Sequence, residues 1–196
     1  MRVISGIYKG RLISMPMGIR PTRDNVKEAL FNVLASSVRD KRVLDLFAGS
    51  GALGIEALSR SAKETVFIDN SKACTDIIYD NITKLSAAGF SASIRIFTKD
   101  AFAGIRLLGG EGKKFDIIFA DPPYYKDRAS GSYHKNRIRK CLKYISMYDI
   151  LGNSGLVFVE HFKKDIVPGN SGCLNLSRQL NYGDTTVSLY TKVETK

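Results

Sequence analysis

The fold of this chain is decided by ten residues, Asp45-Leu46-Phe47-Ala48-Gly49-Ser50-Gly51-Ala52-Leu53-Gly54. An apolar and β-branched run at 42–47 leads into the glycines, and a helical pattern at 51–59 leads out of them. Glycines at such a junction let the backbone turn sharply and approach a ligand closely. The stretch therefore predicts the first strand, loop and helix of an α/β domain, with a ligand at the loop.

The rest of the chain continues this alternation of strand and helix patterns. Apolar runs predict further strands at 65–68, 93–97, 115–120 and 156–159. Apolar residues at helical spacing predict helices from Thr22 to Leu34, from Ser71 to Gly89, at 101–108 and around 136–150. Near the end, 174–180 and 186–190 flank a turn-rich tetrad and predict an antiparallel hairpin. Such alternation predicts a mostly parallel sheet that binds ligands at the carboxyl ends of its strands.

A short extension precedes this domain. Residues 2–14 alternate around Gly6 and Gly10 and predict a β-hairpin, and a Pro/Gly connector follows at 15–19. We therefore divide the chain into an N-terminal hairpin at 1–19 and one α/β domain at 20–196.

Composition narrows the class of partner. The 196 residues carry 30 Lys and Arg against 19 Asp and Glu, a net charge of +11, which favours polyanions and above all nucleic acid. Three separated cysteines and two isolated histidines predict neither a disulfide framework nor a metal site. No signal-peptide or membrane-span pattern is present, so we expect a cytoplasmic protein without membrane contact, and a monomer by default.

The glycine loop alone fits two classes of cofactor. It reads G-x-G-x-x-G, and Asp69 follows Gly49 by 20 residues at the end of the next strand, where it can bond a ribose hydroxyl. A nicotinamide dehydrogenase and a methyltransferase both remain open at this point. Asp45 favours the methyltransferase, because a carboxylate there can meet the ammonium of S-adenosylmethionine. Asp100, at the end of the third strand, can accept a hydrogen bond from an adenine amino group.

The second decisive motif is Asp121-Pro122-Pro123-Tyr124, directly after the strand at 115–120. Two prolines end the strand and stiffen its exit. The Asp121 carboxylate and the Pro122 carbonyl can each accept one hydrogen of an exocyclic amino group, which localises the nitrogen lone pair. Tyr124 can stack on the base, a contact worth about 1–3 kcal/mol. The motif therefore provides a site for the amino group that would accept a methyl group. A dehydrogenase would leave the motif without a role, and the sequence shows no clear hydride-transfer constellation.

With these motifs in place, the chain resembles the bacterial 16S ribosomal RNA guanine-N2 methyltransferases of the RsmD type. The resemblance rests on Arg2-Val3-Ile4-Ser5-Gly6 with Lys9-Gly10-Arg11, on the segment from Arg20-Pro21-Thr22 to Asn32, on 45–60 and on the motif at 121–124. It implies a class I S-adenosylmethionine methyltransferase fold: a Rossmann-like, seven-stranded, mostly parallel sheet with an antiparallel last strand. It also implies guanine N2 as the acceptor, in 16S RNA of a small-subunit assembly intermediate.

The predicted site falls into three sets of residues. The catalytic set is Asp121, Pro122 and Tyr124. The cofactor is S-adenosylmethionine, with S-adenosylhomocysteine as its product, and we expect no metal. The cofactor set is Asp45, Phe47, Gly49, Gly51, Asp69, Asn70, Asp100 and Ala101. The nucleic-acid set is Lys9, Arg11, Arg20, Thr22, Arg23, Lys126 and Arg128. Lys126 and Arg128 belong to a basic stretch at 125–143 that looks longer than is usual in the family. For the helical part of this stretch, we favour a face that only contacts solvent.

Two further functions remain open. An adenine-N6 DNA methyltransferase shares the motif at 121–124, although such enzymes usually carry a target-recognition domain, for which this sequence offers only the hairpin and the basic stretch. A nucleic-acid-binding protein without catalysis is the other, and the intact acids at 45, 69, 100 and 121 argue against it.

Overall fold

A computed structural model describes residues 1–18, 24–35, 37–86, 92–123 and 135–193. Several predicted features therefore lie outside the described residues, namely Arg20, Thr22, Arg23, Gly89, Tyr124, Lys126 and Arg128. The chain divides into two compact units, Met1–Ala101 and Phe102–Lys196. Each unit is described by itself.

The first unit contains three parallel strands with helices between them. Its elements are α1 (Asp24–Leu34), β1 (Arg42–Leu46), α2 (Ala52–Ser59), β2 (Glu64–Asp69), α3 (Lys72–Ser86) and β3 (Ser93–Thr98). The strands lie in the order β3-β2-β1, and both pairs are parallel. β1 and β2 are buried along most of their length, which explains why their apolar residues, Val43-Leu44 and Val66-Phe67-Ile68, are consecutive rather than alternating.

The second unit joins one parallel strand pair to a set of antiparallel strands. Its elements are α4 (Ala101–Gly110), which begins at the last residue of the first unit, then β4 (Phe115–Ala120), α5 (Lys135–Met147), β5 (Leu151–Phe162), β6 (Asn170–Ser171), β7 (Leu174–Tyr182) and β8 (Thr185–Lys192). β4 is parallel to β5, whereas β5, β8, β7 and β6 pair antiparallel in that order.

The sequence predicted most of these elements within a few residues. The strand at 115–120 is confirmed at both ends, and the hairpin near the C-terminus turns at Gly183, whose φ is +61°. Two differences concern the second unit. β5 begins five residues earlier than predicted, and the described residues contain eight strands rather than seven. The additional strand, β6, has two residues, too few to leave a periodic pattern in the sequence.

The N-terminal extension forms a tight antiparallel turn. Arg2 pairs with Leu12, and the Val3 amide donates to the Arg11 carbonyl at 3.0 Å. Its apolar side chains Val3, Tyr8 and Ile13 are buried in one core with side chains of α2, β2 and α3. The extension is therefore part of the hydrophobic core of the first unit.

Buried polar contacts fix this extension to α2. Glu56, which is fully buried, accepts the backbone amides of Ile4 and Ser5 at 2.8 and 3.0 Å. Lys27 is also fully buried; its ammonium lies 3.9 Å from Glu56 and donates to the Arg2 carbonyl at 2.6 Å. Burial lowers the pKa of Lys27, and the charge of Glu56 opposes that shift. Because an isolated buried charge is costly, these two charges and the extension depend on one another.

The helices are short or polar relative to what a bilayer requires. Across the described ranges, none combines the length and the apolar character needed to cross a membrane.

Candidate active site

The register of the first unit brings its predicted cofactor residues to one edge. Leu46 is level with Ile68 on the neighbouring strand, and Asp69 is level with Thr98 on the next. Asp45 lies one residue before the end of β1, Asp69 ends β2 and Asp100 follows β3, so all three lie at the same carboxyl edge. This is the edge at which α/β folds bind their ligands.

The glycine loop between β1 and α2 needs backbone angles that favour glycine. Gly49 and Gly51 have φ of +55° and +77°, and the Gly51 amide donates to the Ala48 carbonyl at 2.7 Å. Phe47, with φ of +61°, takes the same conformation despite its side chain. Such strain in a bulky residue is uncommon and gathers at ligand sites.

The third glycine of the pattern has a packing role. A Cβ atom at Gly54 would lie 2.2 Å from the Phe67 ring, so α2 can approach β2 this closely only with glycine there. Its amide also donates to the Asp45 carboxylate at 2.8 Å. Gly54 thus sets the position of α2 on the sheet.

Asp69 connects the second strand end to the loop. One of its carboxylate oxygens accepts the Gly49 amide and the other accepts the Ser71 amide, each at 2.9 Å. The side chain is half-buried, and each carboxylate oxygen has a second lone pair. Asp69 can therefore hold the loop and still accept a hydrogen bond from a ribose hydroxyl.

Asp45 is the most deeply buried acid at this edge, with 3 % exposure. Burial raises its pKa to about 8; the Gly54 hydrogen bond opposes this shift and the nearby charge of Asp69 adds to it. No described residue offers this carboxyl group a positive partner, and the ammonium of a methionine moiety would supply one. The donor set at this edge therefore fits S-adenosylmethionine.

The remaining cofactor candidates lie at the same edge. Asn70 is exposed directly after β2, Asp100 is exposed directly before α4, and Ala101 is the buried first residue of that helix. The Lys99 amide donates to the Asp69 carbonyl at 2.9 Å and holds the third strand end beside the second.

One positioning residue was not predicted. Asn81 of α3 is 1 % exposed, and its amide nitrogen donates to the carbonyls of Ser50 and Ser14 at 3.2 and 3.0 Å. Its oxygen accepts the Ser14 amide at 2.8 Å. Asn81 thereby ties the glycine loop to the N-terminal extension. A polar residue on the apolar face of the predicted helix was the available signal.

In the second unit, the proline motif begins where β4 ends. Asp121 is half-buried, Pro122 is buried and Pro123 is exposed. β4 before them is buried in five of its six residues, so Asp121 is the first polar group after a rigid core strand. Tyr124, the last residue of the motif, lies outside the described residues.

Two of the predicted RNA-binding residues are described, and both are accessible. Lys9 and Arg11 are exposed on the N-terminal extension. Among the described residues, no three His, Cys, Asp or Glu side chains are grouped so that they could hold a metal ion.

The fold is that of the class I S-adenosylmethionine methyltransferases, α/β with parallel strands followed by antiparallel C-terminal strands. The chain belongs to the family described as Conserved hypothetical protein 95, which it matches over residues 1–191.

Known relatives agree with this assignment. The chain is 31 % identical over 192 residues to Ribosomal RNA small subunit methyltransferase D of Escherichia coli, covering 97 % of this chain and 89 % of that protein. The solved structure of yhhF from Escherichia coli superposes with a TM-score of 0.78 at 30 % identity, covering 98 % of this chain and 97 % of that one. A third match shows the fold alone. The Thermus thermophilus 16S rRNA N2 G1207 methyltransferase RsmC, solved with AdoMet and guanosine, has a TM-score of 0.65 at 18 % identity and covers 90 % of this chain and 44 % of that one.

Proposed function

We propose that this protein transfers a methyl group from S-adenosylmethionine to the exocyclic N2 of a guanine in 16S ribosomal RNA, within an assembling small subunit. The observation that carries the proposal is the half-buried Asp121 beside the buried Pro122, directly after the core strand β4. The name of the Escherichia coli relative supports ribosomal RNA of the small subunit as the substrate. The resemblance of the N-terminal hairpin and of Arg20-Pro21-Thr22 to the guanine-N2 enzymes supports N2 as the acceptor.

The first unit supplies the cofactor half of the reaction. Asp45 neutralises the ammonium, Asp69 accepts from the ribose, Asp100 accepts from the adenine amino group, and the loop at Gly49 and Gly51 permits close approach of the backbone. Phe47, Asn70 and Ala101 complete the wall of the site. S-adenosylmethionine, when bound, supplies a methyl group already activated by its sulfonium. The residues therefore contribute chiefly by orientation.

The motif in the second unit acts on the acceptor nitrogen. Guanine N2 is a poor nucleophile because its lone pair is delocalised into the ring. The Asp121 carboxylate and the Pro122 carbonyl each accept one N2 hydrogen, which favours tetrahedral geometry, and Tyr124 stacks on the base. With its lone pair localised, N2 would be placed to take the methyl group that bound S-adenosylmethionine would supply, and S-adenosylhomocysteine would be the other product. Asp121 takes the proton that leaves N2.

Cationic side chains provide the affinity for RNA. Lys9 and Arg11 are exposed, and the net charge of +11 favours a polyanion. Arg20, Thr22 and Arg23, together with Lys126 and Arg128, complete the proposed contact set. Because phosphate contacts release counterions, binding to the small subunit should weaken steeply as the salt concentration rises.

Methyl transfer from tritiated S-adenosylmethionine tests this function. We expect labelling of small-subunit particles from cells that lack the protein, at guanine N2 by mass analysis of the RNA. Asp121→Ala should abolish transfer while leaving the Kd for S-adenosylmethionine within about twofold, since positioning of the amino group is lost but the cofactor residues are intact. Asp184→Ala, at the exposed β7–β8 turn, is the matched control and should retain full activity.

Two results would contradict the proposal. Labelling of adenine in duplex DNA, without labelling of the particles, would support the DNA methyltransferase instead. Absence of cofactor binding by calorimetry would support a nucleic-acid-binding protein without catalysis.

A further inference from the structure

Helix α5 has one apolar and one basic face. Ile138, Cys141, Leu142 and Ile145 are buried. Arg139 and Lys143, one turn apart, are both exposed. At a spacing of four residues, their side chains lie on the same side of the helix. A basic face of this kind is usually only solvated, unless it lines a site that could bind an anion.

A cleft lies beside this basic face of α5. It has a volume of about 570 Å³ and is lined from the helix by Arg139, Lys143 and Met147, and from the chain around β6 by Pro168, Asn170 and Ser171. This volume lies within the range of about 300–1,000 Å³ typical of small-molecule sites. None of the described residues that line it is acidic. Within the described part of the chain, neither Arg139 nor Lys143 forms an ion pair.

Contacts between the two walls hold them together, and Ser146 and Gly172 themselves line the cleft. The Ser146 hydroxyl accepts the Cys173 amide at 3.0 Å. A Cβ atom at Gly172, whose φ is +59°, would lie 2.2 Å from that hydroxyl oxygen, so the walls meet this closely only with glycine. The Tyr190 hydroxyl donates to the Pro168 carbonyl at 2.7 Å. Contacts within the protein therefore fix the positions of both walls of the cleft.

The chemistry of the lining matches one nucleotide. Two unpaired cations suit phosphate oxygens, with the arginine able to form two parallel hydrogen bonds. Met147 and Pro168 offer apolar surface to a base, and Met147 is 55 % exposed. Asn170 and Ser171 offer donors and acceptors for a base edge. An unstacked nucleotide in single-stranded RNA presents all three features together.

We propose that this cleft binds an unstacked nucleotide of the substrate RNA, with its phosphates on Arg139 and Lys143. The inference rests on the proposed function and adds an anchoring site that shares no residue with the cofactor and catalytic sets. The site holds the RNA while another nucleotide, the target guanine, undergoes the reaction. It acts on substrate affinity and not on the methyl transfer itself.

The test compares two double variants in methylation of small-subunit particles. Arg139→Ala/Lys143→Ala removes the cleft's cations, and Lys163→Ala/Lys164→Ala removes two exposed cations outside it. The cleft variant should raise KM for the particles at least fivefold while kcat stays within twofold. The control should change neither. The slope of log affinity against log salt, measured with 16S RNA fragments, should be shallower by about 1.4 in the cleft variant, because two single-strand phosphate contacts are lost.

A third variant separates base contact from charge. Met147→Ala leaves both cations in place, so KM should rise about threefold without a change in the salt slope. Photo-crosslinking with RNA that carries 4-thiouridine should label the peptides at 139–147 and 168–172.

The outcomes distinguish the two proposals. If the wild-type protein methylates the particles and the cleft variant behaves as the lysine control does, the cleft is not an RNA site, and the proposed function is unaffected. If the cleft variant loses affinity for particles but binds naked 16S RNA normally, the cleft contacts a protein, which also overturns the inference. A wild-type protein that neither methylates particles nor binds 16S RNA overturns both proposals.

Discussion

The Asp69 carboxylate accepts a hydrogen bond from the Gly49 amide at 2.9 Å, so the end of β2 holds the glycine loop directly. The other carboxylate oxygen accepts the Ser71 amide ahead of α3. Asp69, the proposed ribose acceptor, thus also shapes the loop that we propose to hold the cofactor. Substitution at this position should affect both roles.

We expect Asp69→Asn to weaken S-adenosylmethionine binding at least tenfold. An asparagine has one accepting oxygen, so its NH₂ group must face either the Gly49 or the Ser71 amide, donor against donor. Isothermal titration calorimetry measures the effect. Asp76→Asn, an exposed position on α3, is the control and should bind the cofactor normally. Equal affinities of the two variants for S-adenosylmethionine would mean that Asp69 does not contribute to the cofactor site.

Asn81→Ala should lower both stability and cofactor affinity. It deletes a buried amide that makes three hydrogen bonds and leaves two carbonyls and an amide unpaired. A loss of about 1–3 kcal/mol is expected, and Tm should fall by roughly 2–10 °C in a chain of this size. Asp80→Ala, exposed at the adjacent position, should leave Tm and Kd unchanged. If Tm falls while Kd is unaltered, Asn81 supports the fold but does not position the loop.

The raised pKa of Asp45 predicts how stability depends on pH. Below about pH 4 the carboxyl is protonated in both the folded and the unfolded chain. Between its ordinary pKa of 3.8 and the folded value of about 8, the folded chain holds a proton that the unfolded chain has lost. The free energy of unfolding contributed by this group therefore falls as pH rises through that window, and the fall stops above about pH 8.

Asp45→Asn isolates this contribution, because the amide has nearly the same shape and does not titrate. We expect the Tm of the variant to rise relative to that of the wild type between pH 5 and 8. Above pH 8.5, the difference between the two Tm values should be constant. Thermal unfolding across pH 5–9 without cofactor measures it. A constant difference across the whole range would mean that Asp45 is ionised throughout in the folded chain.

The two glycines of the N-terminal extension offer a matched comparison. Gly6 and Gly10 have φ of +84° and +82°, so replacement by alanine should cause the same backbone strain at both positions. A Cβ atom at Gly6 would lie 1.9 Å from the Ser59 carbonyl oxygen, whereas one at Gly10 meets nothing within 4 Å. Gly6→Ala should therefore lower Tm by roughly 2–8 °C beyond Gly10→Ala, an added loss of about 1–2 kcal/mol.

Limited proteolysis provides a second measurement. Gly6→Ala should expose the first 18 residues to cleavage, because the amides of Ile7 and Tyr8 lose their partners on Ser59. Gly10→Ala should be cleaved as slowly as the wild type. Similar Tm values and cleavage rates for both variants would show that the extension accommodates the added methyl group.

The sequence predicted those parts of the fold that depend on local signals, including the strand ends at which the candidate site residues lie. Apolar runs located the strands, and the glycines and the strand-end acids marked the carboxyl edge. The parallel register then brought Asp45, Asp69 and Asp100 to that edge as expected, because strand ends in such a sheet must meet there.

Features that depend on distant pairs were not predictable in this way. Glu56 reads as one acid in a helix, and only the fold shows that it accepts amides more than 50 residues away. Asn81 reaches Ser14 over 67 residues. The cleft beside α5 is formed by a helix and a two-residue strand, and neither pattern alone distinguishes a lined cleft from a solvated basic face.

The buried carboxylate of Glu56 has a consequence for engineering the protein. Cutting the chain after residue 18 would leave that acid and Lys27 without the backbone partners that Ile4, Ser5 and Arg2 now provide. A truncated chain should therefore fold poorly, not merely lose RNA contacts. Likewise, an extension taken from a relative can be grafted here only if it presents two amides to Glu56 and a glycine against Ser59. The extension and α2 are a single exchangeable part.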